Sequence, residues 1–279
     1  MEESINILEE WLKKQDHFVR KEYSRQYLEK IIIMSKGSVE RVKEKLDKIC
    51  TYRTLLPNFF EPMDVKNCPS LDGIDFFFLP EMTKDHYRVV VMKNKGQSFP
   101  MGFLDFYKYS LMICEYSQTY DYCNGLIAII DYSEANVLEI LKAVNLLELR
   151  QAMSIIIEGY GMRIKGIHFI TKSRAVETIV SLIKQAVNPK VGQRIQVHND
   201  IDTIEKDIPK EIMPMDYGGK GPSIKELSEK LIDIFSSEEF TEHYKEMQKA
   251  CTNETFRSAD KFNEQIMGMP GSFRKLAVD

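Results

Sequence analysis

The sequence predicts an α/β protein: an all-helical N-terminal region followed by a mostly parallel sheet wrapped in helices. Three observations carry that prediction. Apolar residues recur at helical spacing up to Leu55. From Tyr87 onward, short apolar runs of strand length alternate with amphipathic stretches. One of those stretches, over 173–187, is too apolar for an ordinary surface crossover, and basic residues flank it on both sides.

In the helical region, Leu8, Trp11 and Leu12 share one face, as do Val39, Val42, Leu46 and Ile49. Ser38 stands where an N-cap belongs, just after Gly37, and Pro57 and Pro62 close the section. The segment to about Tyr87 reads as irregular, with turn signals at Pro69, Asp72–Gly73 and Pro80. Strands are expected over 87–92, 125–132, 165–170 and 194–198, and a long aromatic-rich helix over 101–120. A helical stretch over 135–159 is expected to break into two pieces, and Ser223 with Glu226 forms a capping box that starts a helix to about Phe235. The resulting division is a helical domain over 1–60, a linker over 61–86, an α/β domain over 87–245 and a tail over 246–279.

Composition narrows the function. The chain has 279 residues, 43% hydrophobic and 29% charged, with a net charge of −4. A negative balance argues against nucleic acid as a partner, so any anion site must be a local basic patch. Five cysteines without a C-x-x-C pair read as reduced thiols, which points to the cytoplasm. The acidic amphipathic N-terminus lacks the pattern of a signal peptide, and no apolar run is long enough to span a bilayer. Membrane contact is therefore expected to be peripheral and transient, and a monomer is expected.

Signals for catalysis are weak. Gly218–Gly219–Lys220–Gly221 lacks the spacing of a phosphate loop, and no G-x-S-x-G elbow supplies a nucleophile. The five histidines have no metal-ligand spacing, so no metal, cofactor or enzymatic activity is expected. Asp131 ends a strand and is read as unreactive.

The runs KGIHFI, RIQVH, IPKEIMPMDYGGKG and the upstream GLIAIIDY resemble the CRAL-TRIO lipid-binding family. The pattern is nearest its tocopherol-transfer and retinaldehyde-binding branches. SVERVKEKLDKICTYRTLLPNFF is similar to the helical domain that precedes it, and the closing GSFRKLAVD to the tail of many insect members. The resemblance implies a CRAL-TRIO N domain, then a lipid-binding domain whose mobile gate helix, here 171–194, covers a deep apolar pocket. It implies a soluble carrier of a hydrophobic small molecule: an isoprenoid, retinoid, sterol or tocopherol-like compound.

On the gate helix, Val176, Ile179, Val180, Ile183 and Val187 share a broad face, with Glu177 and Lys184 off it. Matching positions give the pocket lining as Leu126, Ile130, Ile155, Ile156, Met162, Ile167, Ile179, Ile183 and Val187. Where tocopherol carriers have head-group serines, this chain has Lys108 and Met112, with Ser110 between them. That substitution speaks against tocopherol itself. Arg163, Lys165, Lys190 and Arg194 match the family's basic residues for phosphatidylinositol bisphosphate, two before the helical stretch 173–187 of the gate and two just after it. The family's F-L-R element is replaced by Ile31, Ile32 and Ile33, followed by Lys36. Two other readings stay open: a lipid-sensing regulatory or scaffolding module, and an enzyme acting on an isoprenoid.

Overall fold

The computed structural model describes residues 1–257. Three helices open the chain, α1 (Glu2–Lys13), α2 (Arg25–Met34) and α3 (Val39–Leu55). Ser24 and Ser38 cap α2 and α3 by accepting the N–H of the third residue on, the geometry that makes serine favourable there. Then follow β1 (Ile74–Phe78), β2 (Tyr87–Asn94), α4 (Leu104–Tyr120), β3 (Gly125–Asp131), α5 (Val137–Ala143) and α6 (Leu146–Ser154). The chain continues through β4 (Ile164–Ile170), α7 (Val176–Ala186), the four-residue α8 (Pro189–Gly192), β5 (Ile195–His198), α9 (Ile224–Ser236) and α10 (Glu238–Gln248).

The five strands lie in sequence order, β1-β2-β3-β4-β5, and every pairing after the first is parallel. The α/β expectation holds, with one correction: β1 lies inside the segment read as irregular and pairs antiparallel with β2. The turn signals around it are real, but they bound a strand, Ile74–Phe78, whose Phe76 and Phe77 are buried on opposite faces. The stretch 135–159 breaks into three pieces rather than two, because a π turn over Ile155–Gly159 follows α6.

The sheet separates two apolar layers. On one face Phe77, Val89, Val91, Ile127 and Ile170 pack against the turns around Ile204, Ile208 and Met213 and the start of α9. The P-K-E-I-M-P-M-D-Y-G-G element locks this layer. The Tyr217 hydroxyl donates to the buried Asp131 carboxylate over 2.6 Å. Gly218 adopts φ 73°, and a Cβ on Gly219 would overlap the Met213 carbonyl, so both positions need glycine. Asp131, which the sequence left unreactive, is the acceptor of that lock and of the Ser133 N–H.

The helices pack on the other face, and a buried ion pair joins the N-terminal bundle to them. Arg53 of α3 donates to Glu115 of α4 over 3.0 Å, and both side chains are almost wholly enclosed. Tyr160 and His243 complete the carboxylate's shell at 3.1 Å each. The segment after α10 also returns to the N-terminal helices: Thr252 bonds Thr54, and Arg257 forks onto Asp47 at 2.9 Å. The start of the stretch read as a tail is therefore part of the packed body. The closing GSFRKLAVD lies outside the described residues.

Burial alone would raise the Glu115 carboxyl, but the His243 hydrogen bond, the Arg53 charge and the Tyr160 hydroxyl outweigh it and hold it below the ordinary range. A depressed carboxylate contributes stability that is present above its unfolded pKa and lost as pH falls through its folded one. Breaking a buried pair on one side leaves an uncompensated charge. Arg53→Met alone should cost roughly 3–5 kcal/mol in urea unfolding at pH 7. Its cost should shrink in acid, where Glu115 protonates. A loss below about 1 kcal/mol at pH 7 would mean that the pair does not hold the two regions together.

Candidate functional site

Beneath α7 lies a cavity of about 180 Å³. Strand alternation supplies its floor: Val90 and Met92 of β2, Leu126, Ala128 and Ile130 of β3, and Ile167 and Phe169 of β4. Ala128 and Ile130 are only half-buried although they sit on a central strand, because open volume adjoins them. The long helix α4 forms a wall through Phe106, Tyr107, Ser110, Ile113 and Cys114, spaced i, i+1, i+4, i+7 and i+8 on one face. That periodicity was readable in the sequence, but these positions were not among those predicted. Ile140, Ala152 and Ile156 close the side, and Ile179, Leu182 and Ile183 of α7 close the roof.

Of the nine predicted lining residues, Leu126, Ile130, Ile156, Ile167, Ile179 and Ile183 adjoin the cavity. Ile155, Met162 and Val187 do not, and each has a packing reason. Ile155 is fully buried and begins the π turn; neighbouring helical positions point about 100° apart, so it turns away where Ile156 faces in. Met162 is buried in the loop before β4. Val187 has left α7 for extended backbone and lies against the Gly192 turn. Lys108 and Met112 are also off the cavity: Lys108 pairs with Glu61 at 3.1 Å, while Ser110 between them adjoins the open volume.

The roof helix is lightly anchored. No side chain caps the N-terminus of α7, and its C-cap residue, Val187, is extended. By contrast α5, α6, α8, α9 and α10 each begin with an Asn or Ser side chain accepting a backbone N–H. A missing cap costs a helix about 1 kcal/mol. Leu138 of α5 and Leu147 of α6, on the helices beside α7, are exposed at 59% and 63%.

The basic residues separate into two groups. Arg163 donates to Asn124 and to the Met34 carbonyl, which puts it against the N-terminal bundle. Arg194 donates to the Ile164 carbonyl at the start of β4, and Lys190 stands exposed on α8. Lys165 goes elsewhere. Its ammonium sits 4.5 Å over the Tyr87 ring and bonds that hydroxyl at 3.1 Å, in a polar crevice with Ile127 and His168 on the far side of the sheet. The reason is a bulge: Leu126 pairs with Ile164 and Ile127 with Gly166, so Lys165 is the extra residue.

Sequence reasoning missed a basic neighbour of Arg163. Lys45 of α3 bonds Ser35 at 2.9 Å and the Gly161 carbonyl at 3.4 Å. Its ammonium is pushed down to about 8, first by burial and then by the charges of Arg163 and Arg41. Lys36, which the sequence offered as a substitute, is exposed in a left-handed turn at φ 58°. Among the described residues no group of three side chains is arranged to hold a metal ion.

A model of the CRAL/TRIO domain matches residues 75–219, just over half of the chain. The chain belongs to the CRAL/TRIO domain family. The CRAL/TRIO match opens inside β1 and ends on the glycine pair of the Tyr217 element, so it takes in the whole sheet, the cavity and α7. Residues 1–70 match a model described as a Pinta-like UBA domain. Alpha-tocopherol transfer protein-like from Mus musculus is 26% identical over 105 residues, 37% of this chain and 31% of that protein. Clavesin-2 from Homo sapiens is 28% identical over 100 residues, 36% of this chain and 30% of that protein. The aligned region thus spans about a third of the curated relatives it matches. The crystal structure of Sfh5 aligns with a TM-score of 0.51 at 14% identity, covering 73% of this chain and 74% of that one, a likeness of fold.

Lys45 gives the rim a pH signature. A lysine with a lowered folded pKa costs the fold below about 8, and the cost is relieved as pH rises toward the ordinary lysine value of 10.5. In a lysine NMR titration one ammonium should titrate near 8, and Arg163→Gln should move that midpoint upward by removing a repelling charge. Titration of Lys45 together with the exposed lysines would dissolve the cluster.

Proposed function

We propose that the protein is a non-enzymatic carrier that holds a hydrophobic small molecule in the cavity beneath α7 and exchanges it at a phosphoinositide-bearing membrane. The observation that carries this reading is the cavity itself, a volume without charged lining under a roof helix that lacks a side-chain cap. Burying apolar ligand surface is worth about 25 cal/mol per Å², so such a site holds a lipid with few polar contacts. The names of the relatives, alpha-tocopherol transfer protein-like among them, agree with a transfer function.

Release requires α7 to swing away. An opened α7 bares Ile179 and Ile183, and a bilayer can cover them together with the exposed Leu138 and Leu147. The basic rim supplies the trigger: Lys45, Arg163, Lys190 and Arg194 present cations near the end of the gate at which β4 and β5 begin. Each basic group near an anionic leaflet contributes about 1 kcal/mol, and arginine engages phosphate bidentately. Lys165 has no part in this rim, since its ammonium is engaged with Tyr87. No described helix is long and apolar enough to cross a membrane, so the contact proposed is peripheral.

One observation favours a second reading. A cavity of 180 Å³ is smaller than the roughly 300–1,000 Å³ usual for ligand pockets, as a lipid-sensing or scaffolding module would have. Lipid extraction from the purified protein separates the two: stoichiometric cargo supports the carrier. Ile183→Asp places a carboxylate in the roof and should abolish retention of that cargo while the fold survives by circular dichroism; undiminished retention would sink the assignment of α7 as roof.

Lys190→Ala with Arg163→Gln should weaken binding to vesicles containing phosphatidylinositol bisphosphate by about 2 kcal/mol, roughly 30-fold, and leave cargo uptake intact. Equal vesicle binding by wild type and variant would remove the rim from the mechanism.

A further inference from the structure

The cavity also carries information about the head of its ligand. None of the residues around it is Asp, Glu, Lys, Arg or His. A carboxylate or phosphate brought inside would lose its water and find no cation, which is prohibitive for an ion in apolar surroundings. The lining is nonetheless not uniformly inert. Ser110 already donates its hydroxyl hydrogen to the Phe106 carbonyl at 2.9 Å, so it can only accept. Tyr107 of α4 and Tyr132, the residue after β3, are different. Both are buried and both adjoin the open volume, yet neither hydroxyl has a hydrogen-bond partner among the described residues. The Tyr109 hydroxyl, also unpartnered, is sealed in packed protein; those of Tyr107 and Tyr132 are not. Both phenols adjoin the same open volume, and burial raises the pKa of each, so each keeps a hydrogen to donate.

Resting on the carrier reading, we infer that the ligand is an uncharged lipid bearing a single hydrogen-bonding group, such as an alcohol or ketone, held at that group by the hydroxyls of Tyr107 and Tyr132. Buried polar groups are rarely left unpaired, and phenols that line one cavity complete their bonding when a ligand oxygen enters it. The fold also sets the direction of the ligand. Tyr132 follows the C-terminal end of β3, whereas Arg163 and Arg194 precede β4 and β5 in the same parallel sheet. Six to seven residues of strand separate the two ends, about 20 Å. The polar head therefore lies at the end of the cavity remote from the basic rim, and the apolar tail points toward it. Specificity for the head and attraction to the membrane are thus built from different residues at opposite ends.

The test compares matched probes on the full chain: the alcohols, acids and hydrocarbons of the farnesyl and geranylgeranyl series, titrated at pH 8 so that the acids are ionised. The alcohols should bind at least tenfold tighter than the hydrocarbons and at least a hundredfold tighter than the acids. Tyr107→Phe with Tyr132→Phe removes two oxygens and keeps the rings. It should erase the advantage of the alcohols while leaving hydrocarbon affinity within about twofold, a readout that misfolding would not mimic. Acids binding as tightly as alcohols, or an alcohol advantage that survives the double substitution, overturns this inference and leaves the carrier reading standing. Failure of all three classes to bind overturns both.

Discussion

The buried pair of Arg53 and Glu115 is the constraint on which the remaining architecture depends. A carboxylate with no exposure cannot stand on an apolar helix unless cations and donors meet it there. Glu115 is met from three directions: by Arg53 from α3, by Tyr160 from the turn after α6, and by His243 from α10. These partners come from elements far apart in sequence, so one carboxylate fixes the bundle, the long helix and the C-terminal helix to each other. Arg53 is satisfied in turn by the Ala250 carbonyl and by the faces of Phe60 and Tyr160. The consequence reaches the cavity. Glu115 directly follows Cys114, and Ile113 and Cys114 adjoin the cavity, so the network that holds Glu115 also sets the wall.

The two faces of the sheet then divide the work. On the face toward the turns, polar groups are paired in a fixed order. Thr203 donates to the Asp200 carbonyl at 2.7 Å, so its oxygen must accept from His198 Nδ1 at 2.8 Å. His198 Nε2 is then the acceptor for His168 Nδ1 at 3.0 Å. Two histidines that the sequence showed merely as scattered are one relay, joining β4 and β5 to the turn beyond, and burial lowers the pKa of both. The opposite face keeps open volume and unpaired phenols. That open volume has a cost, since an unfilled apolar site lowers stability in proportion to its volume.

How far the sequence could be read follows from which interactions are periodic. The strands of the parallel sheet were legible because burial on both faces demands continuous apolar runs such as GLIAIIDY. The strand β1 was not, since IDFFF between turn signals carries the same local marks as a loop that folds back. Six lining residues were legible because they occupy positions that match the resembled family, and the alternation of β3 and β4 and the helical spacing of α7 put them on the cavity side. Ile155 and Lys165 were carried over by position, and a position match does not register the local irregularity at each: a π turn begins at Ile155, and a bulge makes Lys165 the extra residue of β4. Lys45 was invisible for another reason. On a helix it reads as one more surface cation, and only the packing of α3 beside Arg163 gives it a depressed ammonium.

The placement of cations around the cavity, never in it, bears on how carriage and release can coexist in one site. A cation in the pocket would favour an anionic cargo and would also compete with the membrane for it, since the group that holds the ligand would be the group the leaflet attracts. The charge lies outside, on α3, α8 and the loops before β4 and β5, so on the proposed reading an anionic head group would act on the frame of the gate without entering the cavity. Arg194 holds the carbonyl of Ile164, and Ile164 adjoins the cavity at the foot of β4. On the proposed reading the coupling would therefore be mechanical, because a phosphate that drew Arg194 outward would loosen a contact beneath the end of the gate. On the proposed carrier reading, that arrangement would put the switch at the end of α7 farthest from Tyr132, so the tail of a ligand would leave first and its hydrogen-bonded head last.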